Sequence, residues 1–353
     1  MKILLLARYG RLGASSRLRC FQYLPYLKSQ GIEVEPAVLF DGGYVSGLMR
    51  TGRRSPIALI TAYLRRFRQL SRLRDYDLIW IEYEALPWLP YWVERLFLNI
   101  DVPYVVEYDD AIFHRYDLHA RGLVRRMLGN KIPELMRRAR LVIAGNDYIA
   151  ARADRAGVSR IAHIPTAVDL DRYVPGVRAD GGYTIGWIGS PITVGYLELI
   201  KPALLSLAKE GPVKLMVIGA EVPQWQGVET VSMPWSEESE VLLINQFDVG
   251  VMPLPDEPWE RGKCGYKLIQ YMACVKPVVA SSVGANAAIV EPGVEGFLAA
   301  NVEDWASTLR RLRDDKMLRV SMGRAGRSKV EKVYCTRITA PRLAAALREA
   351  VQG

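Results

Sequence analysis

Histidine is scarce in this 353-residue chain, with three in all, and cysteine hardly commoner, with four at positions 20, 264, 274 and 335. The cysteines form no C-x-x-C pair and no zinc spacing, so they read as free thiols of a reducing cytosol. No run of about 18 apolar residues is present, which excludes a hydrophobic membrane span. The apolar opening Ile3-Leu4-Leu5-Leu6 reaches Arg8 and a glycine loop too soon for a secretory leader; it reads as a first β-strand. Bulk disorder is excluded as well, because 50% of the residues are hydrophobic and 24% charged. Acidic residues are the minority charge, 38 against 47 Lys+Arg, for a formal net charge of +9. Residues 1–170 hold 26 basic and 17 acidic side chains, and residues 171–353 hold 21 of each. The whole excess sits in the first half, where it calls for an anionic partner: nucleic acid, a membrane surface or a phosphorylated substrate.

What the chain does have is alternation. Apolar runs at Lys2–Ala7, Glu33–Leu39, Asp77–Glu82, Tyr104–Tyr108 and Leu141–Ala144 are separated by helical patterns. A second series follows at Thr184–Ile188, Lys214–Ile218, Asp248–Met252 and Pro277–Ala280. Most are continuous Val/Ile/Leu-rich runs, as parallel strands covered on both faces require. Strand–helix alternation predicts βαβ units in doubly wound sheets. A turn-rich stretch from Val174 to Gly182 separates the series. The expected α/β architecture is a Rossmann-like domain over 1–173, a linker over 174–183 and a second Rossmann-like domain over 184–335. A closing helix over 336–353 would cross back to the first domain. Two such domains facing each other would place a ligand in the cleft between them, outside the carboxyl ends of the strands.

The first glycine loop, Gly10-Arg11-Leu12-Gly13, has G-x-x-G spacing and not G-x-G-x-x-G. No acidic residue ends the second strand, so a nicotinamide or flavin site is weakly supported. The loop either lets a ligand approach the backbone or is a plain strand-to-helix turn. The richest segment runs from Trp259-Glu260-Arg261-Gly262-Lys263 to Lys267-Leu268-Ile269-Gln270. A helix beginning after Gly262 would put Lys263, Lys267 and Gln270 on one face and Leu268, Ile269 and Met272 opposite. Two ammonium groups beside unpaired helix N–H donors suit a diphosphate, and Gln270 further down suits a ribose. The alternative is a solvated helix face.

This segment, with Lys276-Pro277-Val278-Val279-Ala280-Ser281-Ser282-Val283-Gly284 and Val290-Glu291-Pro292-Gly293-Val294-Glu295-Gly296-Phe297-Leu298, resembles the donor-binding region of the retaining GT-B glycosyltransferases of family 4. Ser15-Ser16-Arg17-Leu18-Arg19, Ile164-Pro165-Thr166-Ala167-Val168-Asp169, Ile185-Gly186-Trp187-Ile188-Gly189-Ser190-Pro191, Pro234-Trp235-Ser236 and Asp248-Val249-Gly250-Val251-Met252-Pro253-Leu254 fit in the same order. The resemblance implies a GT-B fold and transfer from a UDP- or GDP-linked sugar with no added cofactor. Gly10 and Gly13 would lie beneath the donor phosphates, and Lys263, Lys267 and Arg261 would hold the diphosphate. Glu260 would bind sugar hydroxyls and Gln270 the ribose. Two departures stand out. The family's E-x7-E pattern is met by Gly262 and Gln270 in place of two glutamates, and its Arg/Lys pair early in the second domain is missing. A retaining transfer of this kind needs mainly positioned cations, since the leaving phosphate can take the acceptor's proton.

In the first half, Glu107-Tyr108-Asp109-Asp110-Ala111-Ile112-Phe113-His114 follows a strand. Paired aspartates invite a metal reading. The resemblance implies none, and instead makes Asp110 and His114 candidates for contact with donor sugar or acceptor. Residues 50–74 contain 8 Arg and no acidic residue. As a helix they put Ile57, Ile60, Tyr63, Leu64, Phe67 and Leu70 in one stripe beside Arg65, Arg68 and Arg72. That pattern fits contact with an anionic membrane, or else a packed helix with solvated arginines. Neither a nucleic-acid motif nor aromatic–basic interleaving is present, so no nucleic-acid partner is expected. Together these readings predict a cytoplasmic, peripheral glycosyltransferase with a lipid-linked or glycan acceptor. The alternatives are a nucleotide-sugar epimerase and a catalytically silent binding or scaffold subunit.

Overall fold

The computed structural model describes residues 1–44, 47, 55–177 and 182–352. The chain divides into two compact units, Met1–Thr166 with Thr339–Gly353, and Ala167–Ile338. Residues 178–181 of the expected linker and residues 50–54 of the arginine-rich segment lie outside the described residues.

The first unit is built on strands β1 (Lys2–Tyr9), β2 (Glu33–Phe40), β3 (Leu78–Glu82), β4 (Tyr104–Tyr108), β5 (Leu141–Ala144) and β6 (Ile161–His163). They form one parallel sheet in the order β2-β1-β3-β4-β5-β6. The inner strands β3, β4 and β5 are buried at every residue, which is why their sequences, apart from Glu82 and Glu107, are apolar without alternation. On one face, Ile3, Leu5, Trp80, Val105 and Ile143 share a core with Leu343, Ala344 and Leu347 of the closing helix Thr336–Gln352. Each such buried leucine contributes roughly 1.5–3 kcal/mol, so that helix is a structural part of the first unit. The Tyr23 hydroxyl and Thr339, 2.9 Å apart, add a buried polar tie.

The second unit contains β7 (Thr184–Ile188), β8 (Lys214–Ile218), β9 (Glu229–Met233), β10 (Val249–Met252), β11 (Val278–Ser281) and β12 (Gly296–Ala299). These too are all parallel, in the order β12-β11-β10-β7-β8-β9. Ile185, Leu215, Val251 and Val279 pack on one face against Leu204, Leu207 and Leu309. Ile188, Met252, Val278 and Ala280 pack on the other against Leu268, Ile269, Met272 and Val330. In both sheets the strand order reverses once, between β1 and β3 and between β7 and β10. The crevice outside the carboxyl ends of those strands is where open α/β sheets take ligands.

The nine strands expected from the sequence are present with ends shifted by at most two residues. Strands β6, β9 and β12 were not anticipated. Each lies at or near a sheet edge and lacks an apolar run: β6 has three residues, β9 is interrupted by Thr230 and Ser232, and β12 opens on Gly296. The chain enters the second unit at Ala167, ahead of the expected boundary at residue 173. The Val168 N–H donates to the Tyr334 carbonyl at 2.9 Å and the Thr336 N–H donates to the Val168 carbonyl at 3.0 Å, which ties the 167–173 segment into that unit.

Candidate functional site

At the reversal of the second sheet, the loop after β7 carries the turn Val194–Leu199 and the loop after β10 carries the short helix Pro258–Arg261. They meet where the Tyr196 hydroxyl donates to Glu260, whose side chain is otherwise buried. The Lys263 N–H donates to the Glu260 carbonyl at 3.1 Å, closing the turn that follows. The main helix then runs Tyr266–Ala273 and does not begin after Gly262 as expected. The reason is Gly265, whose φ of +64° is left-handed and so interrupts the helix before Tyr266. A Cβ there would also approach Ile289 Cδ1 to 2.3 Å. Lys263 therefore stands in the turn ahead of the helix and Lys267 in its first turn. Both are next to N–H groups that the helix cannot use internally.

The Lys267 ammonium lies 5.2 Å from the centre of the Trp187 ring, on β7. Gln270 is buried, and its amide donates to the Tyr173 hydroxyl at 2.7 Å. Tyr173 in turn donates to Glu240, which also accepts from Arg172 and Trp235 Nε1, each at 2.6 Å. Gln270 thus ends a buried polar chain. Arg261 makes a two-pronged ion pair with Asp256 at 2.6 and 3.0 Å on the exposed side of its helix. Gly284, with φ of +52°, brings the loop after β11 against the backbone of Arg261, where a Cβ would meet the carbonyl oxygen at 2.4 Å. Tyr173, Trp187, Tyr196 and Glu240 had no site role in the sequence reading. Trp187 sat in one of the quoted motifs, but nothing in the sequence places Tyr196 beside Glu260.

In the first unit the Gly13 N–H donates to the Gly10 carbonyl at 3.0 Å, closing the loop after β1. Below it, Glu82 at the end of β3 accepts from the Arg8 N–H at 2.8 Å and from the Ser16 hydroxyl. Ser16 in turn accepts from the Tyr9 N–H at 3.1 Å. Burial pushes the Glu82 carboxyl up to about 7, against the pull of those donors. The pH consequence follows from the sign of that shift. A carboxyl raised in the folded state from an ordinary 4.5 adds stability that is full below about 4.5 and is lost as pH rises through about 7. We expect the urea midpoint of the chain to fall between pH 5 and 8, with Glu82 supplying on the order of 2–3 kcal/mol. Glu82→Gln should flatten that slope, and an unchanged slope would remove Glu82 as its source.

Asp110 follows β4 and is half-buried; the neighbouring Asp109 accepts from the Tyr83 hydroxyl. Both ring nitrogens of His114 are engaged, Nδ1 with Asp117 and Nε2 with the Tyr148 hydroxyl, each at 2.8 Å. A hydrogen bond from a His114 ring nitrogen to a substrate requires one of these bonds to be exchanged. Among the described residues, no group of three or more His, Cys, Asp or Glu is placed to hold a metal ion. None of the four cysteines is in a disulfide, and all four are buried.

The helix Pro56–Leu70 does not present its apolar residues as one stripe. Ala62, Arg66 and Leu70 are buried, whereas Ile57, Ile60 and Leu64 are 78%, 61% and 58% exposed. Its inner face is set partly by Arg66, which is fully buried and donates to the carbonyls of Ala7 and Ala37 at 2.7 and 3.1 Å. Arg65 pairs with Asp41 at 3.2 Å and Arg72 with Asp75 at 3.3 Å, while Arg68 stands on the exposed face. No helix among the described residues is long and apolar enough to cross a membrane.

Paired parallel sheets of this kind define the GT-B fold, and solved members superpose on the chain. The crystal structure of Anabaena Alr3699/HepE in complex with UDP has a TM-score of 0.72 at 18% identity, covering 99% of this chain and 100% of that one. Sucrose-phosphate synthase (tll1590) from Thermosynechococcus elongatus gives 0.73 at 18% identity, covering 99% and 98%. Among curated proteins, the D-inositol 3-phosphate glycosyltransferase of Actinosynnema mirum is 23% identical over 222 residues, 49% of this chain and 52% of that protein. The chain spans about half, or less, of the length of the curated relatives it matches. The model of Glycosyltransferase Family 4 matches residues 21–172 and that of Glycosyl transferases group 1 matches residues 182–315. The chain belongs to the glycosyltransferases that these two domains define.

Proposed function

We propose that the protein is a retaining glycosyltransferase that moves a sugar from a UDP- or GDP-linked donor to a lipid-linked or polysaccharide acceptor at the cytoplasmic face of a membrane. The observation that carries the donor half of this reading is the cluster of Lys263, Gly265 and Lys267 at the amino end of the Tyr266–Ala273 helix, at the strand-order reversal. Fixed cations at a helix amino terminus suit a diphosphate. In the transfer, the bond from the anomeric carbon to the diphosphate oxygen breaks and its electron pair leaves with the phosphate. The acceptor oxygen bonds to the same face of the sugar, and the departing phosphate oxygen takes the acceptor's proton. The lysines stabilise the charge that develops on the leaving group. Glu260, oriented by Tyr196, is assigned to the donor-sugar hydroxyls.

The membrane half is supported by the outward Ile57, Ile60 and Leu64 with Arg68 among them. A basic amphipathic helix of this kind suits an anionic bilayer surface. A second reading, a binding subunit without turnover, is favoured by Gly262 and Gln270 at the two positions where family members carry glutamate. Thermal shifts against UDP, GDP and ADP test the donor site, with stabilisation by one preferred diphosphate expected and none by any of them overturning it. Sugar transfer that needs added membrane extract supports the transferase. Tight diphosphate binding with no turnover in any extract supports the silent subunit, and acceptor-free isomerisation the epimerase.

A further inference from the structure

The opposite edge of the first sheet carries a second feature that the transfer reaction does not use. A cavity of about 440 Å³ opens at the amino-terminal ends of β4 and β5, lined by Tyr104, the first residue of β4, and by Arg140, which precedes β5. Arg95, Arg137 and Arg138 also line it, and Asp101 is the acid in its wall. Glu134 takes Arg137 at 2.6 Å. The remaining guanidinium groups leave a clear positive excess in a polar recess, and guanidinium forks match the oxygens of a phosphate in geometry as well as charge. The Tyr91 and Tyr104 hydroxyls, hydrogen-bonded to each other, add further polar lining.

The helix Tyr91–Leu98 supplies Tyr91, Arg95 and Leu98 to the lining. Trp92 and Leu96, about 40° apart on the same helix, are 64% and 70% exposed. On the far flank of the helix, Phe97 meets Phe67 with ring centres 5.7 Å apart. Phe67 belongs to the helix that exposes Ile57, Ile60 and Leu64. Exposed apolar residues therefore stand on two helices that touch, and the second of these helices lines the arginine cavity. Tryptophan favours the level of lipid headgroups, and basic residues there gain from anionic lipid.

We propose that the arginine cavity holds the phosphate of an anionic phospholipid, with Trp92 and Leu96 entering the bilayer interface beside it. The proposal rests on the membrane reading above and adds to it a specific headgroup site away from the catalytic edge of the sheet. The test is flotation of the full chain with phosphatidylcholine vesicles, with and without phosphatidylglycerol, alongside calorimetry with inorganic pyrophosphate. Wild type should float only with phosphatidylglycerol present. The Arg138→Glu, Arg140→Glu pair should lower partitioning at least about tenfold, and Trp92→Ser with Leu96→Ser should lower it as well. Arg138→Lys with Arg140→Lys keeps the charge and should still float, and the UDP thermal shift should be unchanged in every variant. If wild type floats and the glutamate pair floats equally, the headgroup site is overturned and the membrane reading stands. Loss of pyrophosphate binding in that pair without loss of flotation would also overturn it, reassigning the cavity to soluble phosphates. If wild type itself fails to float with phosphatidylglycerol, the membrane reading falls, and the headgroup site with it.

Discussion

Replacing Lys263 and Lys267 together with alanine is expected to weaken binding of the preferred nucleoside diphosphate by at least about 100-fold. Each ammonium offers a charge-assisted hydrogen bond to a phosphate oxygen, a contact that contributes roughly 1.5–3 kcal/mol when a partner is ionised. The two sit where the turn after Pro258–Arg261 hands over to the Tyr266–Ala273 helix, so both act at the same helix amino terminus. Alternative cations are few at this spot, because Arg261 is held by Asp256 and the Gly189–Gly195 stretch contains none. Rate should suffer beyond affinity. Negative charge on the diphosphate grows as the sugar departs, so the cations bind the transition state more strongly than the donor, and kcat should fall together with kcat/KM. Lys267→Ala also removes the contact with Trp187, so the ligand-free melting temperature must be measured for each variant. Lys267→Arg separates the effects, since it keeps the charge and the ring contact. Calorimetric affinity equal to wild type in the double variant would remove this segment as the diphosphate site.

Much of this arrangement is legible in the sequence because parallel strands buried on both faces are mostly apolar. Trp80 and Ile81 in β3, Val105 and Val106 in β4, and Val249 to Met252 in β10 are of this kind. The edge strand β9 is not legible, since exposure on one side lets Glu229 and Ser232 into it. The Trp259–Gln270 segment stands out in the sequence by its residues, but its geometry turns on Gly265. A glycine's φ cannot be read from its neighbours, and the helix start moved past Lys263 as a result. The Pro56–Leu70 helix leaves two readings open in the sequence, stripe outward or stripe packed, for a related reason. A periodic apolar stripe normally turns inward. Here a buried arginine, Arg66, occupies the inner face, because backbone carbonyls at Ala7 and Ala37 receive it. Charge burial of that kind depends on partners distant in sequence, and composition carries no trace of it.

The most severe destabilisation is expected from Lys131→Met in the first unit. The Lys131 ammonium is fully buried and contacts Glu84 at 2.7 Å, Glu94 at 3.0 Å and the Leu86 carbonyl at 2.5 Å. Burial alone works against the charged amine, yet the Glu94 and Glu84 carboxylates outweigh it and hold its pKa above the ordinary 10.5. Methionine fills nearly the same volume, so the substitution removes charge with little cavity. It leaves two buried carboxylates facing each other, a loss of about 3–5 kcal/mol by the cost of orphaning a buried ion. Glu84 retains the Tyr116 hydroxyl at 2.8 Å and Arg8 at 3.7 Å, whereas Glu94 retains the Leu86 N–H at 2.8 Å. Burial already pushes Glu94 upward in the intact protein. Removing Lys131 takes away its main counterweight, so the variant should unfold more easily as pH rises, and urea denaturation at pH 5 and pH 8 should show the larger deficit at pH 8. Adding Glu84→Gln and Glu94→Gln to Lys131→Met should recover much of the lost stability, because a neutral trio avoids the repulsion. A deficit below about 1 kcal/mol in the single variant would mean that solvent reaches the trio and that its ions are not buried in solution.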